Sequence, residues 1–204
     1  MKRIITIGRE FGSGGRELGR RIAEKLEIAY YDQEIITEIA KRTAPSEAYI
    51  RQIEEMRPIL HFPTRTGHRF YLPSEPIFYP DLSIYTKQHE LLRELSRKSD
   101  CVIVGRCADY ILREQKPVRI FAYADMESRI KRCMERRPED ENLTEAQMKK
   151  RITEIDRNRA KYYTFFSGQK WGARENYDLL VNTSGADISK LASALCGYLE
   201  ALSE

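Results

Sequence analysis

The sequence predicts an α/β fold, with a parallel sheet sandwiched between helices in three layers. Three observations carry this expectation. Near the start, a glycine-rich turn separates a short β-branched run from an amphipathic helical pattern. Further on, Asp100–Gly105 (DCVIVG) is a continuous apolar run of the kind central parallel strands show. Strand-like and helix-like segments then alternate to the end, at the spacing of βαβ units.

Arg3–Ile7 (RIITI) is a β-branched run bounded by Gly8 and is expected to be a buried strand. From Gly14 the period turns helical: Leu18, Ile22 and Leu26 recur every fourth residue, while Arg20, Arg21, Glu24 and Lys25 face away. Ala29-Tyr30-Tyr31 is a second short strand ending at Asp32, and Glu34–Arg42 an amphipathic helix. Between residues 44 and 81 prolines and aromatics punctuate the chain, which predicts a loop-rich insertion with one short helix, Glu47–Met56. Helical spacing returns over Ile84–Lys98 through Leu91, Leu92 and Leu95. After the DCVIVG strand come a short helix (Ala108–Arg113), a strand (Val118–Ala122), a basic helix (Met126–Arg137) and a charged helix from Leu143 to about Lys161. Tyr177–Val181 is the last strand and Ile188–Leu202 the closing helix. A single domain over residues 1–204 is expected, its insertion spanning about 44–90.

Composition narrows the function. With 35 Lys and Arg against 31 Asp and Glu, the formal charge of +4 is too slight to argue for nucleic acid, but it suits an anionic substrate if the arginines converge. The basic residues are interleaved with acids and no nucleic-acid reader motif is present. Cys101, Cys107, Cys133 and Cys196 lack the spacing of a disulfide framework or zinc site, and His61, His68 and His89 lie apart. No apolar stretch approaches the roughly 20 residues a membrane span needs, and no signal-peptide core follows Lys2-Arg3. A cytoplasmic protein without membrane partners is the expectation.

The chemistry concentrates in Gly8-Arg9-Glu10-Phe11-Gly12-Ser13-Gly14-Gly15-Arg16-Glu17, set between strand and helix. Glycines let the backbone curl so that successive amides point inward, and the helix N-terminus adds its dipole. A polyphosphate is the natural occupant, so Gly8, Gly12, Ser13, Gly14, Gly15, Arg16 and Glu17 are the candidate ATP-phosphate residues of a P-loop NTPase-type sandwich. The usual loop closes on Gly-Lys-Ser/Thr, the lysine on phosphate and the hydroxyl on Mg²⁺. Here Arg16 supplies the charge as a planar fork, and Glu17 replaces the hydroxyl. Glu17 can hold a metal through water or pair with Arg20 or Arg21.

With its later segments the chain resembles the cytidylate kinase-like family, whose divergent branch carries the loop GREFGSGG followed by Arg. Gly105-Arg106 matches the family's Gly-Arg-Asp, whose arginine grips the acceptor phosphate; Cys107 stands in the aspartate's place and Asp109 lies two residues on. Glu127-Ser128-Arg129-Ile130-Lys131-Arg132 is similar to the first helix of the family's lid, where an arginine meets phosphate. Asp156-Arg157-Asn158-Arg159 resembles the lid's returning Asp-x-x-Arg, and Tyr177–Ser184 the family's last strand. The resemblance implies ATP-dependent phosphoryl transfer to a nucleoside monophosphate, CMP or dCMP, using ATP and Mg²⁺, with a lid over about 133–165. It further implies catalytic roles for Arg16, Arg106, Arg129 and Arg159, and acceptor contacts from Asp32, Arg106, Arg129, Asp156 and Arg159.

Plainer roles stand beside these. Asp156 and Arg159 are spaced as a helical ion pair, Asp32 as a cap for the following helix, and Arg132 and Arg157 as surface charge. A nucleotide-binding protein without turnover, or a P-loop kinase for another small acceptor, remain the alternatives to a nucleoside monophosphate kinase.

Overall fold

In the computed structural model, residues 2–32, 35, 38, 41–42, 82–137 and 142–202 are described. The most apolar runs of the chain form the sheet. Its strands are β1 (Ile4–Arg9), β2 (Ala29–Tyr31), β3 (Cys101–Val104), β4 (Val118–Tyr123) and β5 (Leu179–Asn182). All pair in parallel, in the order β2-β3-β1-β4-β5. β1 is central, with Ile5 opposite Val102 on one side and Val118 on the other.

Alternation along these strands sends side chains to two faces, and each face is covered. Ile5, Ile7, Val102, Val104 and Ile120 meet Leu18 and Ile22 of α1 (Gly15–Lys25) and Ala192 and Leu199 of α6 (Ile188–Ala201). Ile4, Cys101 and Ile103 meet Leu91 and Leu92 of α2 (Leu82–Lys98), Ile111 of α3 (Ala108–Ile111) and Tyr162 and Tyr163 of α5 (Glu145–Ser167). Burying a side chain such as Leu18 or Ile22 contributes ~1.5–3 kcal/mol. The expected three-layer α/β sandwich with a parallel sheet is therefore what forms. The remaining helix, α4 (Met126–Glu135), packs against α5.

Several boundaries differ from the sequence expectation. β1 runs on through Gly8 and Arg9, because β4 continues the pairing to Gly8↔Phe121 and Arg9↔Ala122. α5 extends six residues past Lys161, its last turns buried through Tyr162, Tyr163 and Ser167. β5 starts two residues late, at Leu179; Asp178 just before it donates its backbone N–H to Arg119 O at 2.8 Å and accepts from the backbone and guanidinium of Arg119. Of the expected 34–42 helix, residues 35, 38, 41 and 42 are described, and all are helical. The insertion up to residue 81, with its 47–56 helix, lies outside the described residues. Among the described residues, no helix is long and apolar enough to cross a membrane.

Candidate phosphate-binding site

At the C-terminal end of β1 the chain leaves the sheet as Glu10 donates its backbone N–H to Ala122 O at 3.0 Å. The turn that follows is stitched from within. Ser13, fully buried, donates its hydroxyl to Glu10 O (2.9 Å) and accepts from Gly15 N (3.4 Å). Thr183, just past β5, donates its hydroxyl to Ser13 O at 2.6 Å. Gly14, in the left-handed region, caps α1 without a side-chain bond, so the helix's first amides face the turn.

This turn opens on a cleft of about 380 Å³ lined, among the described residues, by Gly12, Gly14 and Gly15 and by seven arginines: Arg9, Arg16, Arg132, Arg136, Arg137, Arg151 and Arg159. Among the described residues, Glu10 is the one acid in that lining. Such an excess of fixed guanidinium charge at a helix N-terminus is built for a polyanion. Arg132, from α4, donates to Ser13 O at 3.4 Å and to the Thr183 carbonyl, which places its fork beside the loop. Burial and the neighbouring Arg136 push its pKa down, and a bound anion would reverse that. Arg159, from α5, lies over the Phe11 ring, 5.4 Å from its centroid, and donates to Arg9 O at 3.5 Å. Arg137 reaches Leu143 O at 2.8 Å.

Behind Phe11 lies a second arrangement. Asp156 Oδ1 accepts from Phe11 N at 2.7 Å, and Arg129 Nε donates to Phe11 O at 2.7 Å. The two side chains pair with each other, and Arg129 also pairs with Glu10 at 3.2 Å. Burial raises the carboxyl pKa of both Glu10 and Asp156; for Asp156 the Phe11 amide and Arg129 counteract part of that rise.

A third cluster occupies the ends of β1, β2 and β3. Gly105, Arg106 and Cys107 all have positive φ (77°, 63° and 55°), a left-handed run that two non-glycine residues adopt only with strain. Gln88 helps hold it by donating to Arg106 O at 2.7 Å. Arg106 is half-buried where it feels Asp32, Arg9 and Arg16. Burial lowers its pKa to about 9 while Asp32 resists, so the guanidinium stays charged at neutral pH. Asp32, 3% exposed, takes Arg16 Nε at 2.5 Å and Arg9 Nη2 at 3.6 Å. Three cations thus surround one carboxylate.

The structure accordingly brings Gly12, Gly14, Gly15, Arg16 and Arg159 to the cleft. Gly8 is a strand residue beneath Phe121 and Tyr177, and Ser13 is an internal stitch. Glu17 pairs with Arg21 at 2.8 Å and with Arg136. Arg129 and Asp156 meet behind Phe11, and Arg106 joins Asp32 in a cluster that shares Arg9 and Arg16 with the cleft. Asp156 stands 4.0 Å from Arg159, at the limit of an ion pair. Arg9, Arg136, Arg137 and Arg151 were not legible as site residues, since a strand-end arginine and helix arginines look like solvated charge until the helices are placed. Thr183 had a signal in the Asn182-Thr183 pair closing the last strand. Among the described residues no cluster of three potential metal ligands occurs.

The glycine turn, the sheet order and the arginine cleft agree with a family comparison: the model described as the cytidylate kinase-like family matches residues 4–185. The chain belongs to that family. Its fold is that of P-loop kinases. An uncharacterized protein from Eubacterium ventriosum is 26% identical with a TM-score of 0.70, covering 98% of this chain and 99% of its own. Shikimate kinase from Acinetobacter baumannii is 17% identical with a TM-score of 0.55, covering 98% and 94%. Shikimate kinase from Bacteroides thetaiotaomicron is 16% identical with a TM-score of 0.58, covering 97% and 98%. No curated protein sequence matches the chain.

Proposed function

We propose that the protein transfers the γ-phosphoryl group of ATP to a nucleoside monophosphate, with CMP or dCMP as acceptor. The observation that carries this is the Gly12–Gly15 turn opening directly onto a cleft walled by seven arginines. Phosphoryl transfer asks little covalent chemistry of a protein; it asks for alignment and for charge placed where the transferring group passes. The loop amides and the α1 N-terminus hold the donor phosphates, with Arg132 and Arg159 on the side of α4 and α5. Arg106, with Arg9 and Arg16 beside it, holds the acceptor phosphate. One oxygen of that phosphate attacks the γ-phosphorus, the bond to the β–γ bridging oxygen breaks, and ADP leaves. Arg16 is 59% exposed and has room to swing from Asp32 towards the transferring group. The hairpin of α4 and α5 acts as the lid and residues 44–90 as the acceptor-side insertion.

Mg²⁺ fits these residues poorly. Glu10 is held by Arg129, Glu17 by Arg21 and Arg136, Asp32 by Arg9 and Arg16, and the Ser13 hydroxyl by the loop backbone. Charge neutralisation is therefore assigned to the arginines, and any Mg²⁺ arrives on the nucleotide. The tied Glu17 also favours a second reading, a nucleotide-binding protein without turnover.

The test offers purified protein Mg²⁺-ATP with CMP, dCMP, UMP, AMP, GMP or shikimate, and reads products by chromatography. CDP or dCDP is the expected major product. Preferential phosphorylation of another acceptor overturns the CMP assignment, and ATP binding with no product supports the second reading.

A further inference from the structure

We infer that Arg129 and Asp156 are positioning residues, a two-sided clamp on the Phe11 backbone that holds the glycine turn in shape before any nucleotide arrives. It rests on the proposed function only in taking that turn as the nucleotide's cradle.

The geometry divides labour along α4 and α5. All three nitrogens of the Arg129 guanidinium are committed: Nε to Phe11 O, Nη2 to Asp156 and Nη1 to Glu10. Both oxygens of Asp156 are committed too, one to Phe11 N and the other to Arg129. The side chains are 6% and 14% exposed, and neither lines the arginine cleft. With three of its five N–H donors engaged and its side chain 6% exposed, Arg129 is held away from the cleft by charge-assisted bonds about twice as strong as neutral ones. Arg159 behaves differently. One turn beyond Asp156, it covers the Phe11 ring and does line the cleft.

The clamped residue immediately precedes Gly12, where φ is +78°. Holding both the N–H and the carbonyl of Phe11 fixes the two peptide planes that flank its Cα, from which the turn starts. The two partners come from separate helices 27 residues apart, so the clamp also fastens both roots of the α4–α5 hairpin to the loop. Glu10 extends the fastening to the end of β4 by accepting from Ala124 N at 3.1 Å. Pre-organisation supplied in this way replaces part of what a loop lysine would do on binding.

The experiment is hydrogen–deuterium exchange on the ligand-free full chain, read over residues 10–15, together with thermal midpoints and ATP titration. Asp156→Ala and Arg129→Lys are expected to speed exchange there about tenfold or more without nucleotide, with the distant β3 and α6 amides unchanged. Asp156→Asn keeps an acceptor for Phe11 N and is expected to restore most of the protection despite losing the charge. Arg159→Ala is expected to weaken ATP binding while leaving ligand-free exchange as in the wild type. Wild-type exchange in both Asp156→Ala and Arg129→Lys, with ATP binding weakened, would overturn the clamp and make the pair ligand contacts. Should Asp156→Ala not fold, Arg129→Lys decides by the same exchange readout. Should the wild type not bind ATP at all, the proposed function fails while the exchange result still decides the clamp.

Discussion

Gly12 has φ +78°, and a Cβ there would lie 2.8 Å from Cys133 Sγ and 2.9 Å from Arg129 O. The backbone carbonyl cannot yield as a side-chain tip can. Gly12→Ala is therefore expected to cost roughly 1–3 kcal/mol of stability and to abolish ATP binding, measured by denaturant melts and calorimetry. Arg159 is the cleft arginine placed over the loop, so Arg159→Ala is expected to weaken ATP by about 10–100-fold, the loss of one or two charge-assisted bonds. Asp156 makes a prediction in pH. Burial raises its pKa above the ordinary 3.8, so the folded state holds its proton more tightly than the unfolded state. That contribution to stability is full below pH 3.8 and is lost as pH rises through the raised value. The midpoint of Asp156→Asn relative to wild type should therefore rise with pH across that window, and a falling difference would contradict the burial argument. At this scale the sequence was half legible. Gly12, Gly14, Gly15, Arg16 and Arg159 reach the cleft because their loop or helical position dictates it. Arg9, Arg136, Arg137 and Arg151 were hidden because a charged side chain's neighbours depend on how whole elements pack.

α5 shows what one element contributes and why its length was misjudged. Its start is marked by Thr144, whose hydroxyl accepts from Gln147 N while the Gln147 side chain accepts from Thr144 N. Thr144→Ala should cost about 1 kcal/mol, within ~0.5–2, by chemical denaturation. The helix's end was missed because Tyr162-Tyr163-Thr164-Phe165-Phe166 has weak intrinsic helix preference, and tertiary packing overrides it. Tyr163 donates to Asp109 at 2.6 Å and the Phe166 ring stacks on Tyr85 at 3.8 Å. Strands were easier. The CVIV strand is buried on both faces and shows it in composition, whereas β5 is an edge preceded by Asp178, which is spent on Arg119.

Across the whole molecule, alternation of strand and helix was enough to give the parallel sheet and its two helical layers, because βαβ connections leave few topologies open. The sequence resemblance to the cytidylate kinase-like family agrees with the match over residues 4–185. The acceptor side was less legible: its expected insertion is a proline- and aromatic-rich segment without periodicity, and it lies outside the described residues up to 81. What ties the scales together is the claim that arginines, in place of a loop lysine, carry a phosphoryl group between two nucleotides. The most direct measurement is phosphorus NMR of purified protein with Mg²⁺-ATP and CMP. The account predicts that the γ-phosphate signal of ATP converts to the β-phosphate of CDP, and that Arg106→Ala loses at least ~100-fold of that rate. An ATP spectrum unchanged over hours, or decay to inorganic phosphate alone, would contradict it.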